Sequence, residues 1–199
     1  MAARPMEFDR DQVLMRAVDA FWHYGYESLS TNILAEEMGV SKSSLYNTAG
    51  SKRDLLIESV IAYTDTRVAA IRQTAGSDHP LKELRALLLN IAQDNDGGRG
   101  CLLVNMSSEL GLHDGGVQQL VRSGFQSILD SFELLVISGQ LSGAFKSEIE
   151  PAESALAIVT TIAGLRVLAK AGFSASQLAP AIENLTAGLA AHCQHDTSA

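Results

Sequence analysis

Residues 30–52 read Ser-Thr-Asn-Ile-Leu-Ala-Glu-Glu-Met-Gly-Val-Ser-Lys-Ser-Ser-Leu-Tyr-Asn-Thr-Ala-Gly-Ser-Lys, two short stretches of helical spacing divided by a glycine. Ser30 is placed to cap the first, and Ile33, Leu34 and Met38 recur on one of its sides. Gly39 follows the last apolar residue, where a left-handed conformation ends a helix without a Cβ penalty. The chain then reverses through Gly39 and Val40, and Ser41 caps a second, polar helix. Val40 and Leu45 are its apolar contribution to packing. That leaves Lys42, Ser43, Ser44, Tyr46, Asn47 and Thr48 for another surface, the division of labour of a helix-turn-helix whose second helix enters the major groove.

Outward from this stretch, helical periodicity continues almost without interruption. A first helix is expected from Arg10 to Tyr24, capped by Asp9, with Val13, Leu14, Ala17, Val18, Phe21 and Trp22 at helical spacing and Gly25 as its stop. Phe21 and Trp22 read as core. Tyr24 and Tyr26 fit either stacking near a DNA backbone or covering the first helix. Ser51 caps a long helix that begins at Lys52 and ends near Gly76. The run Gly76-Ser-Asp-His-Pro80 is the clearest linker. Five further helices follow: 81–95, 101–112, from Gly115 or Gly116 to about Gly139, from Pro151 to Ala171, and from Ser174 or Ser176 to about Cys193. The four prolines, at 5, 80, 151 and 180, are each expected near a helix start. The fold class is therefore all-α.

The spaced residues Phe21, Gly25, Ile33-Leu34-Ala35, Gly39-Val40-Ser41-Lys42, Leu45-Tyr46 and Ser51-Lys52 resemble the DNA-binding domain of the TetR family of repressors, over about Gln12 to Leu56. The resemblance implies that the helix begun by Ser41 is the recognition helix. It also implies that Lys42, Tyr46 and Lys52 touch DNA phosphates. Ser43, Ser44, Asn47 and Thr48 then serve base contacts, and Thr31 joins the DNA-facing set. One position departs from the family pattern: Ala49 stands where an aromatic residue is usual. The division expected is a DNA-binding part at 1–52 and an effector-binding and dimerisation part at 53–199.

Composition limits the alternatives. A net charge of −8 argues against indiscriminate nucleic-acid binding, since that affinity comes from neutralised phosphates. Even residues 1–60 carry more acid than base, yet Lys42, Lys52 and Arg53 stand with no acid between Val40 and Arg53. A small basic footprint of this kind requires a dimer to gather enough contacts. The polar N-terminus lacks a signal-peptide core, and no run of eighteen apolar residues points to a membrane span, so a cytoplasmic protein is expected. Cys101 and Cys193 form neither a disulfide framework nor a metal-ligand spacing. Scattered histidines and the Gly-rich breaks at 96–100 and 111–116 give no enzyme constellation, metal site or cofactor motif.

The stretches Leu156–Leu168 and Leu178–Leu189 are apolar over wide arcs interleaved with Ala155, Ala157, Gly164, Ala187 and Gly188, more than one packing stripe requires. The family resemblance implies that the final two helices pair with their copies in a homodimer. Residues 81–172 are expected to hold a small, mostly apolar effector among Leu88, Ile91, Leu103, Met106, Phe125, Leu129, Phe132 and Leu165, with Arg122, Arg166, Glu109 and His113 as polar anchors. Cys101, after Arg99 and at a helix start, has the surroundings of a reactive thiol. Its Gly-Cys-Leu-Leu-Val-Asn segment resembles a branch in which some members sense oxidants or electrophiles by cysteine. The bland alternative is a buried small hydrophobe. The reading is a repressor released from double-stranded operator DNA by an effector; its rival is a helical small-molecule binder or enzyme that keeps the helix-turn-helix only as structure, and gel retardation on upstream DNA separates the two.

Overall fold

The computed structural model describes residues 10–93 and 97–191, with residues 46–49 described by backbone alone. Among these residues nine α-helices follow in order: α1 (Arg10–Tyr24), α2 (Thr31–Met38), α3 (Lys42–Ala49), α4 (Lys52–Ala75), α5 (Pro80–Ala92), α6 (Leu102–Leu110), α7 (Gly115–Leu141), α8 (Pro151–Lys170) and α9 (Ala175–Leu189). No strand occurs among the described residues beyond an isolated antiparallel bridge between Phe145 and Ala190. The protein is all-α, as the periodicity demands.

Two compact units form: Met1–Thr66 with Cys101–Gly124, and Arg67–Gly100 with Phe125–Ala199. This division follows packing, a different criterion from the functional parts expected at 1–52 and 53–199. In the first unit, α1 packs on α2 and α6, and α2 on α3. Its core holds Val18, Phe21, Leu29, Leu34, Leu45, Leu56, Leu103 and Met106, all nearly or fully inaccessible. Full burial of such a side chain contributes about 1.5–3 kcal/mol. Trp22 meets Tyr63 edge to face, ring centroids 5.3 Å apart, and both are buried.

The second unit is built where α5, α8 and α9 pack on one another. Leu84, Leu88, Ile91, Phe132, Leu135, Val136, Phe145, Ile158, Leu165, Leu178 and Ile182 make its continuous core. Phe145 packs so closely on α7 that a Cβ at Gly139 would lie 2.3 Å from its ring. On the surface of this unit Arg85 and Glu183 tie α5 to α9.

Several expectations need correcting. Ile33 is 38% exposed, whereas Leu34, Ala35 and Met38 form the buried side of α2. Pro180 lies inside α9, not at its start, because the cap is Ser174 through a capping box with Gln177. Helix α5 ends at Ala92, and α9 at Leu189. Leu165, read as part of a dimer surface, belongs to the core at 2% exposure. One helix among the described residues, α8, is long and apolar enough to cross a membrane by length and composition. Its buried side packs on α5 and α9 and accounts for part of that apolarity. The Asp9 cap and Cys193 lie outside the described residues.

Candidate nucleic-acid interface

The turn between α2 and α3 is defined at both ends by hydrogen bonds. Ser30 is extended, and its hydroxyl accepts the Ile33 amide at 3.2 Å. At the other end Gly39 takes φ 68°, its amide donates to Glu36 O at 2.9 Å, and the Val40 amide donates to Ala35 O at 3.0 Å. This is the Schellman pattern, which satisfies two carbonyls that a helix end leaves without partners. The Arg16 guanidinium reaches from α1 to Met38 O at 3.4 Å and covers the same end. Ser41 then accepts the Ser44 amide at 3.1 Å and starts α3.

Burial of Leu45 orients α3 and leaves its first turn open. Lys42 and Ser43 are exposed, Ser44 is half-buried, and Thr31 is half-buried at the start of α2. The Ser41 hydroxyl lies 2.9 Å from the hydroxyls of both Ser43 and Ser44, so these serines already share a hydrogen-bonded group. The side chains of Tyr46, Asn47 and Thr48 lie outside the described residues.

At the start of α4 the two basic residues are each engaged by a neighbour in the first unit. Lys52 donates to Tyr26 O, and its ammonium stands 4.3 Å from the centre of the Tyr26 ring. Tyr26 in turn stacks on Phe21. Arg53 grips Asp114 with two hydrogen bonds, Nε to Oδ2 at 2.8 Å and Nη2 to Oδ1 at 3.0 Å. Asp114 also accepts the amides of Gly116 and Val117 at 2.9 and 3.1 Å, capping α7. The Arg53 guanidinium first, and then the Val117 amide, hold the Asp114 carboxyl well below the usual carboxylate range, with burial opposing. Of the three cations in the basic footprint, Lys42 is thus the exposed one. Nearby, Tyr24 donates to Glu37 at 2.9 Å, which raises its phenol above the ordinary value.

Glu109, offered as an effector anchor, instead accepts the amides of Tyr26 at 3.0 Å and Glu27 at 2.7 Å. Sequence reasoning missed the roles of Glu109 and Asp114. Asp114 carried a usable signal, an N-cap residue before a helix opening at Gly115. Glu109 carried none, because its partners lie more than eighty positions away in sequence.

The expected effector residues divide. Leu88, Ile91, Phe132 and Leu165 lie in the core of the second unit, with Leu129 packed against it. Phe125 is half-buried, and Arg166 is buried at 9% exposure. Leu103 and Met106 are inaccessible in the first unit. Cys101 is half-buried at the N-cap position of α6, and the Tyr63 hydroxyl donates to its Sγ at 3.6 Å. Arg122 and His113 are exposed. A cleft of about 610 Å³ opens beside Gln140, Phe145, Lys146 and Glu148, and none of the expected residues lines it.

Comparison with known proteins finds the same arrangement elsewhere. A profile described as "Bacterial regulatory proteins, tetR family" matches residues 13–58, and one described as "Tetracyclin repressor-like, C-terminal domain" matches residues 80–185. The chain is 31% identical over 133 residues to the uncharacterized HTH-type transcriptional regulator YezE of Bacillus subtilis (strain 168), covering 65% of this chain and 69% of that protein. It is 25% identical over 181 residues to the HTH-type transcriptional repressor ComR of Escherichia coli (strain K12), covering 88% and 86%. Among solved structures, a cysteine mutant of the regulator CifR complexed with 26-base-pair double-strand operator DNA superposes with a TM-score of 0.76. That match has 27% identity and covers 92% of this chain and 98% of the other.

Proposed function

The chain belongs to the TetR family of bacterial regulatory proteins, and from that premise we propose that it is a homodimeric transcriptional repressor that leaves its operator when a small effector binds. The observation that carries the reading is the α2–α3 turn, in which a Ser30 cap, a left-handed Gly39 and a Ser41 cap present a polar helix on a buried Leu45. Such a helix enters the major groove, and a two-fold dimer places two of them about 34–36 Å apart. Residues 1–52 are the DNA-binding part, and 53–199 bind effector and partner.

Within the interface, Lys42, Tyr46 and Lys52 act on phosphates, Ser43, Ser44, Asn47 and Thr48 on base edges, and Thr31 supports the α2 end. Lys52 must release its hold on Tyr26, or act while keeping it, to take that role. The dimer forms through α8 and α9. On α8 Leu156, Val167 and Leu168 are 57%, 52% and 41% exposed, and on α9 Pro180, Ala181, Ala187 and Gly188 are exposed and small. Close approach of helices is easy there, since a Cβ added at Gly164 or Gly188 would meet nothing within 4 Å.

The effector is small and mostly apolar, or an electrophile taken by Cys101. Leu88, Ile91, Phe125, Leu129, Phe132 and Leu165 of the second unit are the apolar lining, and Arg166 is a polar anchor. The protein carries no catalysis and works in the cytoplasm. Gel retardation on the chain's own upstream DNA tests the reading: a discrete, competitor-resistant complex supports it, and binding no tighter than to unrelated duplex sinks it.

A further inference from the structure

Three segments of the first unit are joined by charge-assisted hydrogen bonds that close on themselves. Glu109 at the end of α6 accepts the Tyr26 amide, and Lys52 donates to the carbonyl of the same residue. Next to Lys52, Arg53 holds Asp114, five positions beyond Glu109. The loop after α1, the first turn of α4 and the α6–α7 turn are therefore gripped together, and the helix-turn-helix lies in the chain between the first two. The fit is built closely. A Cβ at Gly25 would sit 3.0 Å from Glu109 Oε2, and one at Gly116 would sit 2.5 Å from Arg53 Nη2. Gly25 takes φ 76°, which aims the Tyr26 and Glu27 amides at one carboxylate.

We propose that Glu109, Asp114 and Arg53 are positioning residues for DNA recognition: they fix the loop before α2 and the turn after α3 so that the recognition helix is presented in one orientation. Arg53 on this view is no phosphate contact, although it stands beside Lys52 at the start of a helix. The distinction matters because a free arginine adds affinity for every DNA sequence, whereas a rigid frame adds affinity only where the base contacts are correct. A charge-assisted, bidentate pair also fixes geometry better than a single hydrogen bond.

The inference rests on the DNA-binding reading, and one experiment separates the two. The full chain selects duplexes from a random pool, and binding is then titrated on a selected duplex and on a shuffled duplex across a salt series. Asp114→Asn isolates the charge, since asparagine still caps α7. Positioning predicts that Asp114→Asn and Arg53→Gln each lower the selected-to-shuffled affinity ratio about fivefold, the size expected of a well-made, half-exposed ion pair. The double variant is no worse than either single one, because they share one interaction. Arg53→Lys recovers part of the loss, and the salt slope of Asp114→Asn equals the parent's. In Glu109→Gln the Tyr26 and Glu27 amides exchange hydrogen faster than in the parent. Tighter binding of Asp114→Asn to both duplexes with a salt slope steeper by about one would make Arg53 an occluded phosphate contact and overturn the proposal. An unchanged ratio in all variants would overturn it too, with DNA binding left standing; a parent that selects no duplex removes both.

Discussion

At the residue scale, the helix-turn-helix depends on a few side chains whose substitution has calculable effects. Gly39 has φ 68° and Arg16 Nη1 within 2.7 Å of any added Cβ, so Gly39→Ala combines backbone strain with a displaced capping arginine. It should lower unfolding stability by about 1–2 kcal/mol in urea titrations. Asp114 gives a pH signature. Its folded carboxyl is held below its unfolded value, so its stabilisation is complete above that unfolded value and is lost as pH falls through it toward the folded one. The stability gap between parent and Asp114→Asn should be constant from neutral pH down and shrink below about pH 4, the ordinary carboxylate value. A gap that vanished near pH 6 would assign the stabilisation to another group. Cys101 has an optical reporter, because Tyr63 touches both its sulfur and Trp22, the only tryptophan. Alkylation by N-ethylmaleimide should shift Trp22 emission and release DNA in the parent and in Cys193→Ser, and do neither in Cys101→Ser.

At the scale of elements, the sequence was most legible where local chemistry decides structure. The caps Ser30, Ser41 and Ser51, the stops at Gly25 and Gly39 and the starts of α2, α3 and α4 follow from single residues acting on their own neighbours. Legibility failed where distant partners decide. Periodicity marks Leu165 and Leu156 alike as apolar positions of one helix, yet only packing puts one in the core and the other outside. Glu109 reads as a polar anchor for an effector until the Tyr26 loop is folded beside it. Pro180 reads as lying near a helix start, but with Ser174 capping α9 it falls in the second turn, inside the helix. These differences give α8 two kinds of variant. Leu156→Glu and Leu168→Glu should yield folded monomers by sedimentation and circular dichroism, since both side chains are exposed within one chain. Leu165→Glu should unfold the second unit, because burying an unpaired charge costs several kcal/mol. Dimers that persist in Leu156→Glu and Leu168→Glu would move the interface off this face.

For the whole molecule, net acidity and a small basic footprint set the terms of DNA binding. With Lys52 and Arg53 engaged within the first unit, the proposed reading leaves exposed Lys42 to carry much of the phosphate attraction of each protomer. Lys42→Ala should weaken selected and shuffled duplexes by similar factors and reduce the salt slope by about one per protomer. A change in sequence preference at constant affinity would assign Lys42 to a base instead. The central claim is that two copies present α3 to successive major grooves, and the most direct measurement is selection by the full-length chain from a random duplex pool under competitor DNA. Enrichment of an inverted repeat with half-sites about ten base pairs apart or a multiple of that, bound by an even number of protomers, is the expected result. Recovery of no enriched sequence, or of a single half-site bound by one protomer, would contradict it.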